Sequence, residues 1–249
     1  MTSFAVVTGA SSGIGQACSL ALIREGWTVA LVGRRADALA QTVAAAQGLP
    51  GRAVPMPTDV GDEAQVQALF ARVQAEFGRL DLLFNNAGMF LPYALPGDVN
   101  GADWRRIVDV NLHGAFYCLS QAFKLMQTQT PQGGRIINNG SISAYVPRPG
   151  AIGYTATKHA ITGLTRQANL DGRGLNIAVG QIDIGNVASD MTQAIGQGAR
   201  QADGSIKAEA RMDMQAVVDT FMGMVRLPLN ANILFTTVMA TQMPYVGRG

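Results

Sequence analysis

The chain has 249 residues, of which 48% are hydrophobic and 14% are charged, with a formal net charge of +2. That length suffices for one large α/β domain or two small ones, and no linker divides the chain. The basic residues are scattered rather than set in a stripe with interleaved aromatics, which disfavours a nucleic-acid partner.

Short apolar runs alternate with segments of helical periodicity along most of the chain. The predicted strands cover residues 4–7, 28–32, 52–57, 80–84, 135–139, 176–182 and 233–239. The predicted helices cover residues 14–24, 36–47, 62–77 with Asp62 as N-cap, 102–127, 154–170 and 214–225. This alternation predicts an α/β fold, a doubly wound parallel sheet of about seven strands with helices on both faces.

The stretch TGASSGIG, residues 8–15, connects the first predicted strand to the first predicted helix. Gly9, Gly13 and Gly15 permit the backbone angles of a tight turn and leave the amides of the helix N-terminus open. These amides and the helix dipole favour a negative group, so we expect a dinucleotide pyrophosphate there. The alternative is a turn that closes a loop and binds nothing.

The regular alternation lapses after residue 185. Residues 185–208, about 24 in number, are rich in Gly, Gln, Ser and Asp. Such a segment is long for an inert connection and typical of an active-site lid. We therefore predict a substrate loop within one catalytic domain that spans residues 1–249.

Tyr154 and Lys158 are four residues apart on a predicted helix, so their side chains share one face. A neighbouring ammonium favours the phenolate, and we expect it to lower the Tyr154 pKa. Ser141 follows the predicted strand 135–139, where a hydroxyl could donate to a substrate carbonyl, with Ser143 as the alternative. Each residue alone could be structural, but their joint occurrence favours catalysis.

Four motifs occur in order and with matching spacing: TGASSGIG at 8–15, NNAG at 85–88, DVNLHGAF around Asn111, and Ser141 with YTATK at 154–158. Together they resemble the short-chain dehydrogenase/reductase family over about residues 3–190. The resemblance implies a Rossmann fold. The spacing T-G-x-x-x-G-x-G resembles that of the single-domain enzymes rather than that of the longer sugar-nucleotide epimerases.

The resemblance also implies roles. Tyr154 would be the general acid in reduction and the base in oxidation, while Lys158 would hold the nicotinamide ribose and depress the tyrosine pKa. Ser141 would orient the carbonyl, and Asn111 would kink its helix and hold a water that relays protons to Lys158. The implied cofactor contacts are Gly9, Ser11, Ser12, Gly13, Ile14, Gly15, Asp59, Val60, Asn86, Ala87, Gly88, Tyr154, Lys158, Gly185, Val187 and Ser189.

The charge at the end of the second strand indicates which nicotinamide cofactor is used. NAD-binding members place an acid there, whereas this chain has Gly33, Arg34 and Arg35. Two guanidiniums suit a 2′-phosphate, so we predict NADP(H) rather than NAD(H). Asp37 is the counter-indication, and we place it in the first turn of the next helix, where it favours the dipole. Ser12 stands where NADP-preferring relatives often have a basic residue.

The segment GQIDIGNVASDM, residues 180–191, departs from the family pattern. Ile184 replaces a proline, which we expect to leave the loop freer. We interpret Asp183 as a turn cap, with a substrate-selecting group as the alternative. Gly185, Val187 and Ser189 still align with positions that contact the nicotinamide amide.

The remaining sequence features exclude several classes of site. Cys18 and Cys118 lie in different predicted helices without a CxxC spacing, which indicates buried free thiols in a reducing cytoplasm. His113 and His159 are the only histidines, so no metal site is expected, and we interpret both as structural. No run approaches 18 apolar residues and no charged leader precedes the first strand, which predicts a soluble intracellular protein without membrane contact.

The expected function is hydride transfer between NADP(H) and a small carbonyl or secondary-alcohol substrate. One alternative is an NAD-dependent dehydrogenase of the same family. Another is a nucleotide-binding scaffold that does no chemistry. The family resemblance implies a homotetramer, and a charged fraction below the roughly 25% usual for soluble domains supports self-association.

Overall fold

The computed structural model describes residues 3–189 and 198–246. The strands in these ranges are β1 (Phe4–Thr8), β2 (Thr28–Gly33), β3 (Arg52–Pro57), β4 (Leu82–Asn85), β5 (Gly134–Asn139), β6 (Ile177–Ile184), β7 (Ala199–Arg200), β8 (Ile206–Lys207) and β9 (Phe235–Val238). The helices are α1 (Gly13–Arg24), α2 (Ala36–Ala45), α3 (Glu63–Phe77), α4 (Gly101–Val108), α5 (Gly114–Thr128), α6 (Ile152–Gly172) and α7 (Met214–Val225). Short helical turns cover Asp109–His113, Ile142–Ala144 and Arg173–Leu175.

Seven strands form one parallel sheet in the order β3-β2-β1-β4-β5-β6-β9. The predicted doubly wound sheet is therefore confirmed. The strand order reverses between β1 and β4, and ligands of such sheets bind beyond the carboxyl ends at that reversal. Strands β7 and β8 form a separate antiparallel ribbon. This ribbon lies in the predicted substrate loop, of which residues 190–197 lie outside the described residues.

The central strands of the sheet are buried on both faces. Along β1, Ala5 and Val7 contribute to a core shared with α1, α2 and α7, whereas Val6 contributes to a second core shared with α3, α5 and α6. Because both faces are covered there, β1, β2 and β4 are almost continuously buried, whereas the edge strand β3 alternates between buried and exposed residues. This arrangement leaves the carboxyl edge of the sheet as the place where polar side chains gather.

The predicted helix 102–127 is interrupted in the structure by a π-helical turn, Asp109–His113, between α4 and α5. The Asn111 side chain there binds the main chain of Met89, accepting from its N–H at 2.8 Å and donating to its carbonyl at 3.0 Å. Gly114 begins α5, and a Cβ at this position would collide with Val60. These two contacts hold the π-helical turn and the start of α5 against neighbouring segments. The helix is therefore interrupted at the position where the family resemblance implies a kink.

Strand β6 extends two residues beyond the predicted end, to Ile184. Ile184 pairs with Val238, and the Gly185 N–H donates to the Val238 carbonyl at 2.8 Å. Asp183 therefore lies inside the strand and is fully buried. The turn-cap interpretation of Asp183 is wrong, because the strand continues through it.

The segment after β6 is also more firmly held than the loss of the proline predicts. The Met212 N–H donates to the Asn186 carbonyl, and the Ala188 N–H donates to the Met212 carbonyl, both at 2.9 Å. These bonds tie the segment to the residues before α7. Apart from the divided helix, all predicted elements occur, with ends within two residues of those predicted.

Candidate active site

A cleft of about 370 Å³ opens at the carboxyl edge of the sheet. Nearly all residues predicted for the site line it: Gly9, Ser11, Ser12, Gly13, Ile14, Arg34, Arg35, Asp59, Val60, Asn86, Ala87, Gly88, Ser141, Tyr154, Lys158, Gly185, Val187 and Ser189. The structure thus gathers residues from across more than 180 positions of sequence into one place. Their individual roles stay predictions.

Two predicted site residues, Gly15 and Asn111, do not line the cleft. Gly15 lies behind the turn, where a Cβ would collide with the carbonyl of Gly9 and the side chain of Asn86. Its contribution is close packing of α1 against the turn. Asn111 is 2% exposed, and its amide faces Met89 and, at 3.4 Å, the Thr157 hydroxyl.

The glycine turn presents the N-terminus of α1 to the cleft. Gly9 and Gly13 have φ angles of +68° and +54°, which glycine adopts without strain. Ser12 is the N-cap residue, but its side chain makes no cap hydrogen bond, and the first turn of α1 holds no acidic residue. The positive end of the helix dipole therefore has no local counter-charge, which suits an anion.

Arg34 and Arg35 line the cleft at the end of β2, and both side chains are exposed. Arg34 Nη1 lies 4.0 Å from Asp59 Oδ2, with 58% of the Arg34 side chain exposed. A pair so exposed is weak, so the guanidinium is available to a ligand. Asp37 lies in the first turn of α2, as predicted, and is absent from the described lining of the cleft.

The wall formed by the NNAG motif is fixed by hydrogen bonds among three strands. The Thr8 hydroxyl accepts from the N–H groups of Asn86 and Ala87, both at 2.9 Å. The Asn86 side chain donates to the Thr8 carbonyl at 2.8 Å and accepts from Asn139 Nδ2 at 2.8 Å. These bonds join the ends of β1, β4 and β5 and set the shape of the cleft.

Lys158 and Tyr154 occupy one face of α6 as predicted. Lys158 Nζ donates to the Asn139 carbonyl at 2.6 Å and lies 5.5 Å from the centre of the Tyr154 ring. Ser141 Oγ accepts from the Ser143 N–H at 3.1 Å, which leaves its own proton free to donate. Ser143 lines the same cleft.

Burial determines the protonation of the tyrosine and the lysine. It raises the pKa of Tyr154 to about 12, against the opposing effects of a Ser141 hydrogen bond and the Arg148 charge, while the Asp183 charge raises this pKa further. Burial also lowers the pKa of Lys158 to about 8, and Asp183 opposes that change. The expected net lowering of the Tyr154 pKa is therefore wrong, because burial outweighs the Ser141 hydrogen bond and the Arg148 charge that favour the phenolate. Near pH 7 the site holds a phenol beside an ammonium.

Sequence reasoning missed several side chains that line the cleft, among them Phe90 and Arg148. Phe90 stacks on Tyr154 with ring centres 3.9 Å apart. Its position two residues after NNAG was an available signal. Arg148 forms an ion pair with Glu209 at 2.6 Å and donates to the Asn186 side chain at 3.0 Å. No sequence motif indicates a role for Arg148, because the residues that its side chain contacts, Asn186 and Glu209, lie 38 and 61 positions away in the chain.

The two histidines make local contacts on their own helical turns. His113 Nδ1 lies 2.9 Å from Asp109 Oδ1, and His159 Nδ1 lies 2.9 Å from the Thr155 carbonyl. Over residues 3–189 and 198–246, no cluster of His, Cys, Asp and Glu side chains could hold a metal ion. No helix in those ranges is long and apolar enough to cross a membrane.

Comparison with known proteins gives a consistent result. The family model described as short chain dehydrogenase matches residues 3–200. The chain is 39% identical over 166 residues to a 3beta-hydroxysteroid dehydrogenase from Mediterraneibacter gnavus, a match that covers 67% of this chain and 59% of that relative. It is 36% identical over 199 residues to the 3-oxoacyl-[acyl-carrier-protein] reductase FabG from Staphylococcus aureus, with 78% of each chain covered.

Among solved structures, an alcohol dehydrogenase from the archaeon Thermococcus sibiricus, complexed with 5-hydroxy-NADP, superposes with a TM-score of 0.84. The superposition covers 98% of both chains at 21% sequence identity. At this identity the likeness shows a shared fold.

Proposed function

Because the chain belongs to the short-chain dehydrogenase/reductase family, we propose that it transfers hydride between NADP(H) and a small carbonyl or secondary-alcohol substrate. One observation carries this proposal: Ser141, Tyr154 and Lys158 line the same cleft as the glycine turn and the two arginines. A proton donor, a carbonyl ligand and an anion site therefore meet in one place.

Several features of the cleft fit a phosphorylated dinucleotide. The N-terminus of α1 lacks both a side-chain cap and an acidic residue in its first turn. Arg34 and Arg35 present two guanidiniums, which pair well with a phosphate. Asn139 Oδ1 is a buried acceptor without a hydrogen-bond partner among the described residues. A bound group with donors could satisfy it.

In the proposed mechanism, each side chain has one task. The α1 amides would hold the pyrophosphate, Arg34 and Arg35 would hold the 2′-phosphate, and Lys158 would hold the nicotinamide ribose. Hydride transfer is the chemistry that the cofactor would supply when bound. Ser141 donates a hydrogen bond to the substrate oxygen, and Tyr154 gives that oxygen its proton in reduction or removes it in oxidation.

Asn111 supports the site from behind the cleft wall. Both ends of its amide bind Met89, which follows the NNAG motif directly. We assign it the task of holding this wall against α6. The relay of protons through a water on Asn111 stays a prediction.

The same proposal covers the rest of the chain. Residues 1–249 act as one catalytic domain, and the segment 185–208 serves as the substrate loop. The molecule assembles as a homotetramer. Exposed large apolar side chains on α4 and α5, Trp104 and Phe116, support such an interface.

The test is turnover by the purified chain, followed as loss of reduced-nicotinamide absorbance. A 3-oxosteroid and a 3-oxoacyl thioester are suitable probes, since the names of the two relatives point to these carbonyls. Tyr154→Phe should lower kcat by about 10²- to 10⁴-fold, the usual contribution of a general acid. NADPH binding should change less than twofold, because the phenol is not a phosphate ligand.

Tyr117→Phe is the matched control, because Tyr117 lies on α5 and is absent from the described lining of the cleft. It should keep the parent kcat. Full activity of the Tyr154→Phe variant would refute the assignment of the acid. Turnover with NADH in preference to NADPH would favour the NAD-dependent alternative.

A further inference from the structure

Asp183 is a fully buried carboxylate on β6, an interior strand next to the edge strand β9, and the proposed mechanism gives it no task. Its Oδ1 accepts from the Ser141 N–H at 2.9 Å and from Gln181 Nε2 at 2.7 Å. Its Oδ2 accepts from the Tyr145 hydroxyl at 3.1 Å. No ion pair found in residues 3–189 and 198–246 includes Asp183.

The carboxylate is also fixed through Gln181, whose side chain is itself held by further hydrogen bonds. Gln181 donates to the Thr162 hydroxyl at 3.1 Å and accepts from the Thr165 hydroxyl at 2.8 Å. Thr165 in turn accepts from Asn138 Nδ2 at 2.9 Å. A chain of buried hydrogen bonds therefore runs from β5 through α6 to Asp183, and it holds the carboxylate in one orientation.

The main chain is shaped to accept this carboxylate. A Cβ at Gly140 would collide with Asp183 Oδ1 and with the Gln181 side chain. Asp183 itself is absent from the described lining of the cleft. The sequence-based alternative of a substrate-selecting group is therefore not supported, and the contacts of Asp183 point toward Ser141 instead.

Burying a carboxylate in an apolar sheet without an ion-pair partner is costly. An apolar residue would suit the strand better, since Ile182 and Ile184 flank this position. A buried polar group whose hydrogen bonds are all made fixes the positions of the groups to which it is bonded. Here it binds the residue predicted to hold the substrate carbonyl.

We propose that Asp183 is a positioning residue for the reduction: it anchors the main chain at Ser141 and the hydroxyl of Tyr145, and its carboxylate interacts electrostatically with Tyr154 and Lys158. The inference rests on the proposed function, because Ser141 and Tyr154 are the groups that it positions. Asp183 touches neither substrate nor cofactor in this account.

The negative charge of Asp183 also affects the protonation of Tyr154, the proposed proton donor, and of Lys158. Asp183 raises the pKa of both Tyr154 and Lys158, although burial is the largest influence on each. Burial raises the pKa of Asp183 itself, and its hydrogen bonds and the Lys158 charge oppose that rise. The titratable and charged groups that interact with Asp183, or with the tyrosines beside it, are Lys158, Tyr154, Tyr145, Tyr245, Arg148 and Arg166.

Two substitutions separate the anchor from the charge. Asp183→Asn keeps the shape and removes the charge, so the alkaline limb of the pH profile for NADPH-dependent reduction of a 3-oxoacyl thioester should move to lower pH. Asp183→Ala removes the anchor, and kcat should fall about 10- to 100-fold, as when a reacting group is misplaced. The KM for NADPH should change less than twofold in both variants.

Asp81→Asn is the matched control. Asp81 also accepts from a main-chain N–H, that of Phe4 at 2.8 Å, but it lies near the amino ends of the strands. The Asp81→Asn variant should keep the parent pH profile and kcat, even if its stability changes.

Tyr145→Phe is a milder second variant. Tyr145 is 42% exposed, so this variant should fold, and its kcat should fall because one hydrogen bond to Asp183 is lost.

A readout without turnover distinguishes failure of this inference from failure of the proposed function. In protein with ¹³C-labelled tyrosine, the Tyr154 signal is assigned by its absence from Tyr154→Phe. Its titration should begin at lower pH in Asp183→Asn than in the parent. That shift without any NADPH turnover would refute the proposed function alone. An unshifted titration, or full kcat in Asp183→Ala, would overturn the role of Asp183.

Discussion

Arg34 and Arg35 stand at the end of β2, in the cleft and exposed to solvent. If they bind the 2′-phosphate, the double substitution to alanine should weaken NADPH binding by about 10- to 100-fold, the effect of losing charge-assisted hydrogen bonds. NADH binding should stay within twofold, since NADH lacks that phosphate. Equilibrium titration of both cofactors makes the comparison.

Arg24→Ala is the control for a general loss of positive charge. Arg24 is an exposed arginine at the far end of α1, outside the described lining of the cleft. It should bind NADPH as the parent does. Equal weakening of NADPH and NADH in the double variant would contradict a phosphate contact.

Most lining residues could be predicted from the sequence, because motif spacing determines which residues follow each strand. Tyr154 and Lys158 illustrate this, since four residues on a helix place them one turn apart wherever that helix packs. The direction of the Tyr154 pKa could not be predicted. It depends on burial, which arises from elements distant in sequence, such as the Phe90 ring that stacks on it.

At the scale of elements, the Arg148, Asn186 and Glu209 side chains join three segments. They connect the residues before α6, the residues after β6 and the residues before α7. The Glu209 side chain is 1% exposed. Burial opposes its charged form, but hydrogen bonds from Gln201, Asn186 and Arg148, with the Arg148 charge, outweigh burial and lower its pKa.

This lowered pKa predicts how stability depends on pH. The unfolded chain binds a proton at Glu209 more readily than the folded chain, so stability from this group is present above its ordinary value of 4.5 and is lost as the pH falls through the lower folded value. Glu209→Gln should cost about 1–3 kcal/mol near pH 7, for a buried hydrogen-bonded charge. Thermal denaturation should show the difference shrinking in acid.

Glu76→Gln provides the comparison. Glu76 pairs with Arg72 at the same 2.6 Å, but both side chains are at least one third exposed. Such surface pairs contribute about 0–1 kcal/mol. A loss of stability in Glu209→Gln no larger than in Glu76→Gln, or one that does not depend on pH, would be inconsistent with the buried cluster.

The elements that sequence reasoning described less well are those shaped by tertiary contacts. Helical periodicity continues through residues 102–127, so nothing local marks the π-turn that Asn111 and Gly114 produce through Met89 and Val60. Likewise, β6 continues through Asp183 because β9 lies beside it. The sequence predicted β9 as a strand of the sheet but did not indicate that it lies beside β6.

At the scale of the whole molecule, the two cysteines lie under opposite faces of the sheet, Cys18 in one core and Cys118 mainly in the other. Burial raises the pKa of both thiols, that of Cys118 to about 12. We expect neither to react with a disulfide reagent near pH 8 while the chain is folded, because the thiolate is the reactive form. Both cysteines should react in denaturant. The measurement is the number of reagent thiolates released per chain, in the folded and in the denatured protein.

Rapid modification of one thiol in the folded protein would mean that one of the two cores opens readily.

The overall fold could be predicted because β-α alternation constrains how a parallel sheet is wound. The predicted substrate loop is described only in part. Its β7–β8 ribbon is present, and residues 190–197 lie outside the described residues.

The central claim is a cleft built for NADP(H), and paired equilibrium titrations of the purified chain with NADPH and NADH test it most directly. Fluorescence of the reduced nicotinamide reports binding of both. NADPH should bind at least about tenfold more tightly than NADH, which corresponds to about 1.4 kcal/mol. Tighter binding of NADH would contradict the assignment of Arg34 and Arg35, and binding of neither would favour a scaffold without chemistry.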